Sequence, residues 1–171
     1  MNPDRERWNE KVRRGGHDRP SVRLIMHLGR LKKGRALDLA GGCGENAAIL
    51  ALAGWDVTLV DLSDEALARA RRRASELRAD VRLVQGDALR LPFRGPFDTI
   101  VAANFLERAI APEVAALLAP GGTLFCEQPS RGIADRYCAR PGELARLYGG
   151  LDALLDTIDD DLALFIGRRR S

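Results

Sequence analysis

The sequence predicts a doubly wound α/β fold: a mostly parallel seven-stranded sheet between two helical layers, with an antiparallel last strand. Two observations predict it, and a third bears on the ligand. Short apolar runs alternate with stretches whose apolar residues recur every three or four positions, the pattern of strands feeding crossover helices. A glycine-rich turn, Gly41-Gly42-Cys43-Gly44, joins the first apolar run to a helical stretch. An aspartate stands in or just after each of the first three runs: Asp38, Asp61 and Asp87.

Taken in order, residues 4–14 read as a short polar helix anchored by Trp8 and Val12 one turn apart. A turn over 15–20 follows. Ser21 then caps a helix reaching about Leu31, with Val22, Ile25, Leu28 and Leu31 along one stripe. The first strand is 36–39, and the glycine turn leads to a helix over 47–53. The second strand is 55–60. Ser63 caps the next helix, whose first turn carries Asp64 and Glu65 where the macrodipole favours acids, and Leu67, Ala70, Ala74 and Leu77 form its buried face. A third strand over 81–84, a loop over 89–96 and a fourth strand over 97–103 come next, with Asn104 at the last strand's carboxyl end. Residues 107–118 read as largely helical with Pro112 at a helix start. Pro120-Gly121-Gly122 turns into a fifth strand over 123–127, and Pro141 opens a helix reaching about Tyr148. Strands over 153–157 and 162–167 close the sheet as a hairpin through Asp159-Asp160-Asp161. The division expected is a single domain over 1–171, with a helical N-terminal segment (1–33) on an α/β core (34–171).

Composition bounds the function. With 46% hydrophobic and 30% charged residues the chain is globular, and it lacks both an apolar run of bilayer length and a signal-like N-terminus, which predicts a cytoplasmic protein. Net charge is only +3 and aromatics only 5%, so Arg71-Arg72-Arg73 and Arg168-Arg169-Arg170 are read as solvated surface and no nucleic-acid partner is expected. Cys43, Cys126 and Cys138 lack metal-ligand spacing, and Cys126 is read as a small core residue.

Strand, glycine turn and helix open a nucleotide-binding unit, because glycine lets the backbone approach a ligand and the helix start offers free N–H groups. Gly42-Cys43-Gly44-Glu45-Asn46-Ala47 with Asp61 also fits a dinucleotide fingerprint. Asp38 distinguishes the two ligands. A carboxylate inside the first strand serves no pyrophosphate, but it can accept charged hydrogen bonds from an α-amino group. Asp87 is placed to accept from an adenine amino group, and the chain is too short for a separate hydride-transfer domain. These features favour S-adenosylmethionine over a dinucleotide.

Asp38-Leu-Ala-Gly-Gly-Cys-Gly44, Val60-Asp61-Leu62-Ser63, Gly86-Asp87 and Leu118-Ala-Pro-Gly-Gly122 resemble the successive motifs of class I S-adenosylmethionine-dependent methyltransferases, over roughly residues 30–128. The resemblance implies a Rossmann-like fold and assigns roles. Asp38 would hold the methionine amino group, with Gly42 and Gly44 passing close to the methionine portion. Asp61 would accept from both ribose hydroxyls, and Asp87 from the adenine amino group between Leu62 and Ala88. Asn104 would close the same edge, and the N-terminal helices would form a lid. Ala40 replaces the first motif glycine and fits there if its φ is negative.

The methyl acceptor is less legible. The chain lacks the (Asp/Asn)-Pro-Pro-aromatic motif of exocyclic-amine and glutamine N-methyltransferases; Ala103-Asn104-Phe105-Leu106 stands there instead. Arg7-Trp8-Asn9, His17-Asp18-Arg19-Pro20, Asn104-Phe-Leu-Glu-Arg108 and Leu124-Phe-Cys-Glu127 look similar to small tellurite-resistance and thiopurine-type methyltransferases, which act on chalcogen oxyanions, thiols or other small nucleophiles. His17 and Asn104 are the candidate catalytic residues, and no metal is expected. Two function classes stay open: a small-molecule methyltransferase, and a catalytically degenerate cofactor-binding module or partner subunit.

Overall fold

The computed structural model of the chain describes residues 2–15, 19–91, 93–131 and 137–171. His17 and residues 132–136 lie outside the described residues. The elements run α1 (Pro3–Arg13), α2 (Val22–His27), β1 (Arg35–Leu39), α3 (Glu45–Leu52), β2 (Asp56–Asp61), α4 (Asp64–Leu77), β3 (Val81–Gln85), β4 (Phe97–Ala103), α5 (Ala111–Ala116), β5 (Leu118–Pro129), α6 (Glu143–Leu147), β6 (Leu151–Asp159) and β7 (Leu162–Arg169). They build one seven-stranded sheet in the order β3-β2-β1-β4-β5-β7-β6. Strands β1 to β5 pair in parallel, while β7 is antiparallel to both β5 and β6.

Parallel strands are covered by helices on both faces, so their apolar runs split residue by residue between two cores. Leu37 and Leu39 of β1 face one core with Ile100, Leu124 and Phe165. Ala36 faces the other with Leu50, Leu59, Phe125 and Ile166. Asp38 shares the parity of Ala36, which puts a carboxylate where alternation calls for an apolar residue. Strand order reverses between β1 and β4, and the connections leaving the carboxyl ends of β1 to β4 gather along that edge.

The hairpin turn is built as the three aspartates allow. Asp160 (φ 47°) and Asp161 (φ 63°) are both left-handed, the requirement of a two-residue hairpin turn, and aspartate tolerates that conformation better than most residues.

Four local expectations are corrected. In α2 the buried residue is Leu24, at 0% exposure, whereas Val22 and Ile25 are 66% and 43% exposed. The helix is rotated because the Ser21 hydroxyl donates to Glu127 Oε2 (3.0 Å) and the Ser21 N–H to Asn46 Oδ1 (2.8 Å), which directs Leu24, Leu28 and Leu31 inward. On α4, Leu67 and Ala70 are buried as expected, but Leu77 is 46% exposed beside the left-handed residue Arg78 that ends the helix. The Pro120-Gly121-Gly122 turn lies inside β5 as an irregularity, where pairing with β4 shifts between Phe97 and Thr99. Helix α6 starts two residues later than Pro141 suggests, because Gly142 takes φ 66° and stands outside the helix as its cap. Among the described residues, no helix is long and apolar enough to cross a membrane.

Candidate functional site

The turn after β1 is held on both sides. The Gly41 N–H donates to the Val60 carbonyl at 3.1 Å, tying the turn to β2, and the Gly44 N–H donates back to Gly41 at 3.0 Å. Gly44 caps α3 at φ 80°, and a Cβ there would lie 2.9 Å from Ala70 Cβ, so this glycine lets α4 pack closely. Gly42 differs: at φ 55° its missing Cβ points into open space. Ala40 does not have the negative φ on which its fit was conditional: its φ is 53°. The turn geometry requires a left-handed residue there, and alanine holds that conformation at a cost of roughly 1–2 kcal/mol.

Asp38 lies beneath the turn at 1% exposure. Its Oδ2 has no hydrogen-bond partner among the described residues, and a Cβ on Gly41 would come within 2.7 Å of it. Burial pushes the Asp38 carboxyl up to about 7; the Ala47 N–H opposes the shift, and the nearby Glu45 and Asp61 carboxylates add to it. A buried carboxylate with a spare acceptor gains most from a cationic donor.

Asp61 ends β2 and is already engaged by the backbone. Its Oδ2 accepts from the Gly42 N–H at 2.9 Å and its Oδ1 from the Ser63 N–H at 2.8 Å. Burial raises its pKa, and the N–H groups of Ser63, Gly42 and Leu62 counter that shift. The Gly86 N–H donates to the Asp61 carbonyl at 3.0 Å, which brings the end of β3 alongside. Asp87 caps the short turn after β3, accepting from the Leu89 N–H at 2.9 Å. Leu62 is half-buried, whereas Ala88 is buried in the first core and has a packing role of its own. Asn104 is exposed at φ 56°, and its N–H donates to the Glu127 carbonyl at 2.8 Å.

The structure therefore brings Asp38, Gly42, Asp61 and Asp87 to one edge. An unpartnered buried oxygen and an open glycine face beside a second carboxylate fit a ligand with an amino group and hydroxyls.

Several residues at this edge have contacts that no local sequence pattern shows. Asn9 is the buried residue of α1; it accepts from the Ser63 hydroxyl at 2.7 Å and donates to Asp64 Oδ1 at 2.8 Å. Arg73 of α4 donates to the Cys43 carbonyl and pairs with Glu45 at 2.7 Å, so one arginine of the Arg71-Arg72-Arg73 cluster braces the glycine turn. Glu127, 5% exposed, is a buried acid whose pKa burial raises, with the Ser21 hydroxyl opposing. Their partners are distant in sequence, which hides them from any local pattern.

A cavity of about 440 Å³ opens at the same edge between Arg7 of α1, residues 106–109 after β4, and Tyr137. Arg108 is fixed in its wall by Glu143 (2.6 Å) and the Cys138 carbonyl (2.9 Å). The three cysteines are buried and form no disulfide. Burial pushes the Cys126 thiol up to about 12, which removes it as a nucleophile.

Comparison with known proteins shows the family and the fold. Residues 36–122, half of the chain, match the methyltransferase domain family. The chain is 43% identical over 97 residues to a demethylmenaquinone methyltransferase of Beutenbergia cavernae, covering 53% of this chain and 38% of that protein. It is 40% identical over 102 residues to a protein-L-isoaspartate O-methyltransferase of Aromatoleum aromaticum, covering 58% and 46%. The matches thus span less than half the length of these relatives. In structure it is similar to TehB from Haemophilus influenzae, with a TM-score of 0.78 at 16% identity over 97% of this chain and 67% of that one, a likeness of fold. With a glycine turn flanked by Asp38 and Asp61 on this sheet, the chain belongs to the methyltransferase domain family, within the class I S-adenosylmethionine-dependent superfamily.

Proposed function

We propose that the chain binds S-adenosylmethionine and transfers its methyl group to a small-molecule nucleophile in the cytoplasm. The observation that carries this reading is the buried Asp38 carboxylate, whose Oδ2 lacks a partner among the described residues, beneath the glycine turn and beside Asp61. Asp38 would take the amino group of the methionine portion, against the open face of Gly42. A carboxylate has about four acceptor positions, so Asp61 can keep its bonds from Gly42 and Ser63 while accepting from two ribose hydroxyls. Asp87 would accept from the adenine amino group, with Leu62 against the base. When bound, the cofactor supplies an electrophilic methyl group on a sulfonium. The chain's own residues then act by holding, aligning and drying the approach.

The acceptor would enter by the cavity between Arg7 and residues 106–109. The anchoring of α1 on Ser63 and of Ser21 on Glu127 supports a single domain whose residues 1–33 cover the edge of a 34–171 core. The basic clusters support a reading without nucleic acid, since Arg73, Arg169 and Arg170 are engaged by Glu45, the Leu118 carbonyl and Asp152. The motif likeness to tellurite-resistance and thiopurine-type enzymes supports a thiol or chalcogen oxyanion as acceptor. One observation favours the second reading, a cofactor-binding module without turnover: the strained Ala40 at the first motif glycine.

A methyl-transfer assay over thiols, selenite and tellurite, reading release of S-adenosylhomocysteine, separates the two. Acceptor-dependent release is the expected result. Tight cofactor binding with no release for any acceptor would favour the module.

A further inference from the structure

Helix α1 docks on the start of α4 in an unusual way. Its sequence is almost wholly polar, and the residue it buries, at 4% exposure, is Asn9 rather than an apolar side chain. Trp8 and Val12, the expected anchors, are only half-buried. Trp8 instead carries Lys11 over its ring at 4.5 Å. Among the described residues, Asn9 Oδ1 also accepts from the Glu65 N–H at 3.4 Å, and the other polar ties between α1 and α4 are ion pairs with well-exposed partners: Arg5 with Asp64 at 3.8 Å, and Arg13 with Glu65 at 3.2 Å. Pairs of that kind contribute little net stability. The specific attachment is therefore the Asn9 carboxamide.

What Asn9 holds is the segment that sets Asp61. Its Oδ1 accepts from the Ser63 hydroxyl at 2.7 Å, and its Nδ2 donates to Asp64 at 2.8 Å. Ser63 in turn donates its N–H to Asp61 Oδ1 at 2.8 Å, and Asp61 Oδ2 accepts from Gly42 at 2.9 Å. An unbroken series of hydrogen bonds thus runs from the N-terminal helix through Ser63 to the ribose acid and into the glycine turn. Two residues before Asn9 on the same helix, Arg7 lines the cavity. A shift of α1 would disturb both the setting of Asp61 and the wall of the cavity.

We propose that Asn9 is a positioning residue: it couples docking of α1 to ligand occupancy at Asp61, so that the cofactor site and the cavity wall are completed together. The inference rests on the cofactor reading given above. Coupling of this kind is reciprocal. If docked α1 holds Asp61 in its accepting orientation, a ligand on Asp61 must hold α1 in place by the same factor.

The test is calorimetric binding of S-adenosylhomocysteine to the full chain, together with hydrogen exchange of residues 4–13. In the wild type the ligand should slow exchange in α1. Asn9→Ala should raise Kd about tenfold, the scale of one to two lost hydrogen bonds, and should abolish the ligand-dependent protection of α1. Asp64→Ala removes the acceptor of Asn9 Nδ2, together with the long, exposed Arg5 pair, at an exposed position. It should raise Kd by a smaller factor, and the double variant should match Asn9→Ala rather than multiply the two effects. A lower melting temperature in both variants with Kd unchanged within twofold would reduce Asn9 to a structural cap and overturn the proposal alone. A wild-type chain that binds no S-adenosylhomocysteine would overturn the cofactor reading and this inference with it.

Discussion

The two halves of the candidate site are built from different materials. Around β1 and β2, the contacts that shape the site are made by backbone: the N–H groups of Gly42 and Ser63 on Asp61, of Ala47 toward Asp38, and of Gly41 on Val60. Around the end of β4, the cavity wall is made of side chains from distant parts of the chain, Arg7, Glu107, Arg108 and Tyr137, with Arg108 fixed by Glu143. A backbone-built site recognises what all its ligands share and tolerates little change. A side-chain-built wall can be altered one residue at a time to fit a different acceptor. The cofactor half should therefore respond sharply to single substitutions, and the acceptor half weakly.

The largest effect is expected at Asp61. Asp61→Ala would remove two charge-assisted ribose bonds at ~1.5 kcal/mol each at the least, so calorimetry should find S-adenosylhomocysteine binding weakened about a hundredfold. The same change leaves the Gly42 and Ser63 N–H groups without their acceptor, so the free protein should also lose about 1–3 kcal/mol of stability. Affinity retained in Asp61→Ala would erase the contrast between the halves.

For a small-molecule acceptor of the proposed kind, Glu107→Gln, Asn104→Ala and His17→Ala should each lower turnover less than about a hundredfold, the low end of what a general base supplies. A thiolate or chalcogen oxyanion needs no proton removed, so the pH–rate profile should follow the acceptor's own ionisation. A thousandfold loss in His17→Ala with cofactor affinity intact would move the assignment toward a hydroxyl or amine acceptor.

A smaller effect tests Asp38. Its carboxyl is raised to about 7, so in the free protein its contribution to stability is full below about pH 4 and is lost as pH rises through 7. An ammonium ligand binds the ionised form, so affinity runs the opposite way. Kd for S-adenosylhomocysteine should fall roughly fivefold between pH 6 and pH 7 with proton release. Asp38→Asn should flatten that dependence, and a flat profile in the wild type would remove Asp38 from the amino-group role.

The smallest effect is at Ala40. Ala40→Gly relieves the left-handed strain, offset in part by glycine's freedom in the unfolded chain, for a net gain of up to about 1 kcal/mol. The melting temperature should rise about 2–4 °C. A fall would mean that the packing of the Ala40 methyl against the first core outweighs the strain.

Legibility in the sequence follows the same division. The strands were readable because parallel strands are apolar on both faces, and the glycine turn because left-handed backbone is written in its residues. The sign of φ at Ala40 was not, since alanine alone favours negative φ and the surrounding turn overrides it. The rotation of α2 was lost because Ser21 is fixed by Asn46 and Glu127, 25 and 106 residues away. Asn9 stands in the Arg7-Trp8-Asn9 likeness, but its burial was hidden for the same reason: a buried asparagine within a polar helix has no periodic signature, and its side-chain partners Ser63 and Asp64 are 54 and 55 residues away.

The central claim is that the Asp38–Gly42–Asp61 edge is an S-adenosylmethionine site rather than a dinucleotide site. Thermal unfolding with added ligand tests it most directly. S-adenosylhomocysteine at ~100 Kd stabilises by ~2.7 kcal/mol, which should raise the melting temperature by about 5–11 °C, while NAD at equal concentration should leave it unchanged. A rise with NAD and none with S-adenosylhomocysteine would contradict the account.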